Sequence, residues 1–296
     1  MSATTSIKKQ SATSSGPNYH RRRRIGAILL YLLTIVIMII IAFPMYWLIT
    51  TSFKVPADTT ANPPIIFPTR FTLDNYVNAF KTAGVQRAFA NSIIVAIAST
   101  FFTTLLGSMA AYALAKSYLA YTIRRGLMIW ILITRIFPPV TTAIPYYVIV
   151  RRLHLGDTHI ALIMTYVAYG LPFVIWLMLG FFQDMPSEIE KAAIVDGCSF
   201  WQRFRRIVLP LALPGLAVTS IFAFIYSWNE LLYASMLTSF NAKTIPVVVS
   251  GFISDQFLRW GEMTAIGTLM VIPVLIFAAG AQRYLVRGLT FGAVKG

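Results

Sequence analysis

Long apolar runs alternate with short polar stretches along this chain, and the runs set its architecture. Ile25 to Phe53 passes 29 residues without a charge. Five more runs follow: Ala88–Ala115, Gly126–Val150 with Arg135 as its one charge, His159–Gln183, Ile207–Leu237 with Glu230 alone, and Ala265–Gln282. Each supplies roughly the 20 residues that a helix needs to cross a bilayer. The pattern predicts an all-α, polytopic membrane protein with six transmembrane helices. Ahead of the first run, residues 1–24 are rich in Ser and Thr and end in His20 and Arg21 to Arg24. That basic tail has little to bury and is expected to be disordered up to the arginines. Twin arginines before an apolar run resemble an export signal, but the run ends in no small-x-small cleavage site, so it reads as a retained signal anchor.

The longest polar interruption in the second half, Pro186–Pro210, has helical grammar of its own. Ser187 with Glu190 has capping-box spacing, and a helix should run to about Asp196. Gly197 is the natural residue for a left-handed helix end. Ser199 with Gln202 repeats the capping pattern and opens a second helix ending near Pro210. This helix–Gly–helix unit sets apolar residues (Ile189, Ala192, Ala193, Phe200, Phe204) beside basic ones (Lys191, Arg203, Arg205, Arg206). Two readings stay open on the residues alone. One is a helical hairpin lying on the membrane surface; the other is a knob that fits a groove on another protein, where mid-helix alanines allow close backbone approach. Two further loops are long. In 54–87, Thr72-Leu73-Asp74-Asn75 caps a short amphipathic helix ending in Phe80. The segment 238–262 is too polar to span and too apolar for a solvated linker, so it reads as a structural loop or as a probe into a soluble partner.

Composition narrows the class. The chain is 57% hydrophobic and 12% charged, with a mean hydropathy of +0.70, which excludes an ordinary soluble domain. The net charge of +15 is scattered at the ends of the apolar runs rather than gathered on one face, so it reports topology and not nucleic-acid binding. With a cytoplasmic N-terminus, 16 of the 25 Lys and Arg fall in inside segments and 8 outside, with Arg135 inside a run. The bias places both termini, and the 186–210 unit, in the cytoplasm. Cys198 is the lone cysteine and allows no internal disulfide. His20, His154 and His159 are too dispersed to suggest a metal cluster.

Candidate chemistry is sparse. No GxxxxGK[ST] run is present, so the chain carries no Walker site, and if it transports a solute the energy is expected to come from another chain. A rival reading, an ion- or proton-coupled carrier working without an ATPase, calls for intramembrane acids and inverted repeats, and neither stands out. A membrane enzyme calls for a catalytic constellation that is equally missing. Arg135 lies roughly 15 Å into its run at 1.5 Å per residue, beside Pro138-Pro139. It serves either in a structural ion pair or as a clamp on freed carbonyl groups, or else as a donor to an anionic substituent of a solute. Tyr226, Trp228, Asn229 and Glu230 form an aromatic belt at the outer end of a straight helix, or line a pathway suited to sugars if that helix is kinked. Asn91, Gly107, Gly126 and Gly170 read as helix-packing residues.

The run KAAIVDG with IVLP beyond it resembles the EAA signature of ABC-importer permeases. Ala192, Ala193, Asp196, Gly197, Ile207, Leu209 and Pro210 match it. Lys191 stands where that signature has glutamate, with Glu190 one residue earlier. The stretches FTLDNYVNAF, NSIIVAIAST, LGSMAAYALAKS, SWNELLYA and QRYLVRGLTFGAVKG are similar to the second membrane subunit of maltose-type carbohydrate importers, so the likeness covers most of the chain from Phe71 onward. The resemblance implies a permease domain over 25–296 in the cell inner membrane. It implies a related permease as heterodimer partner, two ATPase subunits, an external solute-binding protein, and no nucleic acid. ATP and Mg would sit on the ATPase, leaving this chain without catalysis, cofactor or metal. It maps ATPase docking to 187–203, with Glu190, Lys191, Ala192, Ala193, Asp196, Gly197 and Phe200 as coupling residues. It maps a second ATPase contact to Ala293, Val294, Lys295 and Gly296 at the end of the 283–296 tail, and the probe of the binding protein to 238–262. Sugar contacts in the maltose system lie mostly in the partner subunit, so no substrate ligand is carried over.

Overall fold

The computed structural model describes residues 17–82, 84–116, 120–252 and 259–292. The tail residues Ala293–Gly296 and most of the basic N-terminal tail lie outside the described residues. All regular structure among the described residues is helical. The helix α1 (Pro17–Ser52) stands apart from the bundle over most of its length, with its apolar side chains from Ile28 to Phe43 exposed. A surface of that kind is stable only against lipid or another apolar chain. A single turn, α2 (Pro56–Thr59), and the amphipathic α3 (Asp74–Lys81) follow. Asn75 of α3 is buried and closes the end of α1, its Nδ2 donating to Ser52 O at 2.9 Å and Lys54 O at 2.7 Å. These are carbonyls that a helix C-terminus leaves without partners.

The centre of the molecule is α4 (Val85–Ala115) packed on α7 (His159–Gln183). Glycines bring the two backbones close: a Cβ at Gly107 would run into Val174, and one at Gly170 would lie 3.0 Å from Thr103 Cγ2. Small residues permit such approach where no water drives association. Gly126, by contrast, has nothing within 4 Å and packs no helix pair within this chain. Between α4 and α7 the expected single span over 126–150 is two helices, α5 (Tyr121–Ile133) and α6 (Pro139–Arg152). The cause is Pro138-Pro139. Neither can donate to the helix ladder, and each bars the helical conformation to the residue before it. α6 therefore starts afresh with Pro139 in its first turn, where a missing N–H costs nothing.

The polar unit folds as α8 (Ser187–Val195) and α9 (Phe200–Arg203), then a π-helical turn over Phe204–Val208 and the short α10 (Leu209–Leu211). The chain bends by 79° at Ala212 into α11 (Leu213–Asn229). α12 (Leu232–Leu237), α13 (Ile245–Ser250) and α14 (Trp260–Gly292) complete the fold. Four of the six expected spans are single helices long and apolar enough to cross a membrane. A fifth is the bent pair around Ala212, and the third is broken at its prolines. Within the 238–262 segment the start of α13 packs on the bundle: Ile245 is fully buried in a core patch with Val85 and Ala88 of α4.

Candidate functional site

At one end of the bundle, α8 and α9 form a knob whose two sides differ. The junction is a complete left-handed cap. Gly197 takes φ +77°, its N–H bonds Ile194 O at 3.0 Å, and Cys198 N–H bonds Ala193 O at 2.9 Å. Only glycine enters that region without a steric cost. The second capping box is present in full: Gln202 N donates to Ser199 Oγ and Ser199 N to Gln202 Oε1. The first is absent. Ser187 Oγ donates to Glu188, and Glu190 turns inward, where Lys116 Nζ at the end of α4 pairs with it at 2.9 Å and Tyr112 Oη donates to it at 3.4 Å. A buried carboxylate gains more from a cation beside it than from a solvated cap. Around this clamp Tyr112 packs its ring on Phe182 of α7, Phe200 of α9 and Phe204, with centroids 5.1–5.6 Å apart.

Of the expected coupling residues, Glu190 and Ala193 therefore face the bundle, Phe200 lies half-exposed with its ring on Tyr112, and Lys191, Ala192, Asp196 and Gly197 face outward. The outward side also carries Val195, 86% exposed, with Ile194 and Trp201 about half exposed. The residue pattern alone did not single out these three, because a helix only nine residues long has too few turns to show which side is covered. An exposed apolar tip of this kind suits contact with another protein or with a membrane surface.

Deeper in the bundle lies a cavity of about 290 Å³, lined by Thr103, Arg135, Tyr166, Phe173, Phe222 and Tyr226 among others. Arg135 sits in the break between α5 and α6. Its Nη1 donates to Tyr169 O at 3.4 Å, and its guanidinium lies 4.8 Å from the Tyr169 ring centre and 5.6 Å from that of Phe173. Tyr169 stacks on Tyr226 at 5.1 Å, and Tyr233 and Tyr146 extend the aromatic group. The other expected pathway residues lie elsewhere. Trp228 is buried against α14, its Nε1 donating to Met270 O at 3.0 Å. Asn229 bonds back to Ile225 O. Glu230 caps α12, its oxygens accepting from Tyr233 N at 2.9 Å and Ala234 N at 3.0 Å. This cap is what ends α11 and starts a new helix, so the run is neither straight nor belted.

At the opposite end the loop after α12 is fixed from two sides. Asp157 accepts from four successive backbone N–H groups, Ser239 to Ala242, at 2.8–3.2 Å. Asn91 Nδ2 donates to Asn241 O and Lys243 O, and its Oδ1 meets His159 Nε2 at 2.7 Å. Asn91 is thus a loop clamp rather than a helix-packing residue.

Residues 103–291 match the family described as binding-protein-dependent transport system inner membrane component. The chain belongs to this family. Among relatives, it is 40% identical over 259 residues to a probable ABC transporter permease, y4oR, of Sinorhizobium fredii, covering 86% of this chain and 91% of that one. It is 38% identical over 256 residues to the trehalose transport system permease SugB of Mycobacterium tuberculosis, covering 86% and 92%. In fold it resembles a chain of a bacterial ABC transporter that imports the acidic polysaccharide alginate, with a TM-score of 0.74 at 23% identity, over 89% of this chain and 98% of that one. The permease is an inner-membrane transport subunit and not itself an enzyme. The family match takes in the knob and the cavity, and all of the loop clamp except Asn91.

Proposed function

We propose that the permease is one of two related membrane subunits of an ATP-driven importer for a sugar or sugar derivative. A separate ATPase carrying ATP and Mg docks on residues 187–203, and the 293–296 tail adds a second contact to it. The excess of Lys and Arg on the knob side supports a cytoplasmic location for that end and for both termini. The opposite loop over 238–262 then faces an external solute-binding protein. The relative assigned to trehalose supports a saccharide solute. The observation that carries the reading is the knob itself, with an apolar tip free on one side and an ion pair with aromatic packing fixing the other side to α4 and α7. ATP binding closes the ATPase pair, the knob moves as a rigid lever, and the bundle opens outward.

The test is uptake with co-purification. Gly197→Glu places a side chain at φ +77° and should abolish ATP-driven uptake while membrane insertion stays normal. Full uptake in that variant counts against the lever. Val195→Asp changes only an exposed position and should leave the chain folded but strip the ATPase from it during purification.

A further inference from the structure

We propose that the cavity at the break between α5 and α6 is a subsite for one sugar ring bearing an anionic group, with Arg135 as the partner of the anion. The word sugar rests on the importer reading above; the anion rests on the geometry alone. Arg135 is half-buried deep among helices and carries five N–H donors in a fixed fork. Among the described residues the ion pairs are Lys116–Glu190 and Arg259–Glu262, so no carboxylate neutralises it. What it has instead is one carbonyl at the long limit of a hydrogen bond and two ring faces. Those contacts attract a cation without cancelling its charge. An arginine in this setting is expected to be paired or to line a pathway. Among the described residues Glu230 makes no ion pair with Arg135; its oxygens accept from Tyr233 N and Ala234 N at the start of α12.

The walls suit a sugar. Tyr166, Phe173, Phe222 and Tyr226 offer rings for C–H faces, while Thr103 and Ser227 add hydroxyl groups. A volume of about 290 Å³ stands at the small end of ligand sites, roughly 300–1,000 Å³, which fits one ring better than a chain. Aromatic faces are electronegative and give an anion nothing. The guanidinium is therefore the element of this wall that attracts an anion, and its N–H groups also donate to sugar hydroxyl groups. Carboxylate, sulfonate and phosphate all match its fork.

The experiment measures equilibrium binding of glucose, glucuronate, 6-deoxy-6-sulfoglucose and glucose 6-phosphate. It uses the transporter, this chain with its co-expressed permease partner and ATPase, in nanodiscs. At least one anionic sugar should bind about tenfold or more tightly than glucose, the scale of one charge-assisted pair. Arg135→Gln should remove that preference, weakening the anionic sugar about tenfold or more and glucose far less, while Arg135→Lys, which keeps the charge and loses the fork, should retain part of it. Tyr226→Ala should weaken neutral and charged sugars alike. Equal affinities in the wild type overturn the proposal. So does Arg135→Gln or Arg135→Lys weakening glucose as much as the acids, which marks a scaffold. Anion preference without ATP-driven uptake refutes the importer reading instead, and uptake without the preference refutes only the subsite.

Discussion

Asp157 holds a carboxylate against four successive backbone N–H groups of the loop it faces, while its own backbone takes φ +57°. Burial alone would raise its pKa, but hydrogen bonds from Asn241, Ala242, Ser239 and Phe240 outweigh burial and hold the group at about 2. A depressed carboxyl pKa stabilises the fold above the unfolded value of 3.8, and that stability is lost as pH falls toward about 2. Asp157→Asn should therefore loosen the loop, at a cost of about 1–3 kcal/mol for the donors left short of a charged acceptor. Amide exchange at 239–242 is the measurement: the variant should exchange faster at neutral pH, and the difference from wild type should vanish between pH 4 and 2. Equal protection at neutral pH would show that Asn91, through Asn241 O and Lys243 O, holds the loop unaided. Nothing in the sequence marked this residue. An aspartate in a short polar turn is ordinary, and its four donors come from positions more than 80 residues later.

At the level of helices, the apolar runs foretold four single spans and the bent fifth, while the third expected span is broken at Pro138-Pro139. Short-range chemistry was legible because its partners are neighbours in sequence: Ser199 with Gln202, Gly197 after α8, Thr72 ahead of α3. Long-range chemistry was not. Ser187 and Glu190 have the same spacing as the working box, yet Glu190 is taken by Lys116 and Tyr112, more than 70 residues earlier. The tyrosines of the cavity come from four helices, so no local pattern announces them. The Glu190 clamp makes a testable claim about α8 as an element. Glu190→Gln leaves Lys116, one-fifth exposed, without its partner, which should cost about 1–3 kcal/mol, below the value for a fully buried pair. The exchange Lys116→Glu with Glu190→Lys should restore much of it. Thermal unfolding and uptake together test the claim: recovery of both in the exchange supports a clamp between α8 and α4, whereas a double variant no better than the single ones excludes it.

Across the whole molecule, the knob and the cavity are two ends of one packed unit. The aromatic group around Tyr112 fixes α8 and α9 to α4 and α7, and the same two helices give Thr103 and Tyr166 to the cavity wall. Between these points α4 and α7 touch backbone to side chain at Gly107 and Gly170. Close-packed contacts shift between discrete arrangements rather than stretch, so on the proposed lever mechanism a push on the knob would reach the cavity only while this seam stays closed. Gly107→Leu tests it. The new side chain would collide with Val174, and overpacking of that kind costs about 1–3 kcal/mol while forcing neighbours apart. The transporter should then hydrolyse ATP with little solute carried, so the ATP-to-solute ratio in proteoliposomes should rise several-fold. Gly180→Ala is the matched control on α7, with nothing within 4 Å of its Cβ, and should leave the ratio unchanged. If Gly107→Leu lowers hydrolysis and uptake in proportion, the seam serves stability alone, and the coupling must run through the 79° bend at Ala212 and α11 instead.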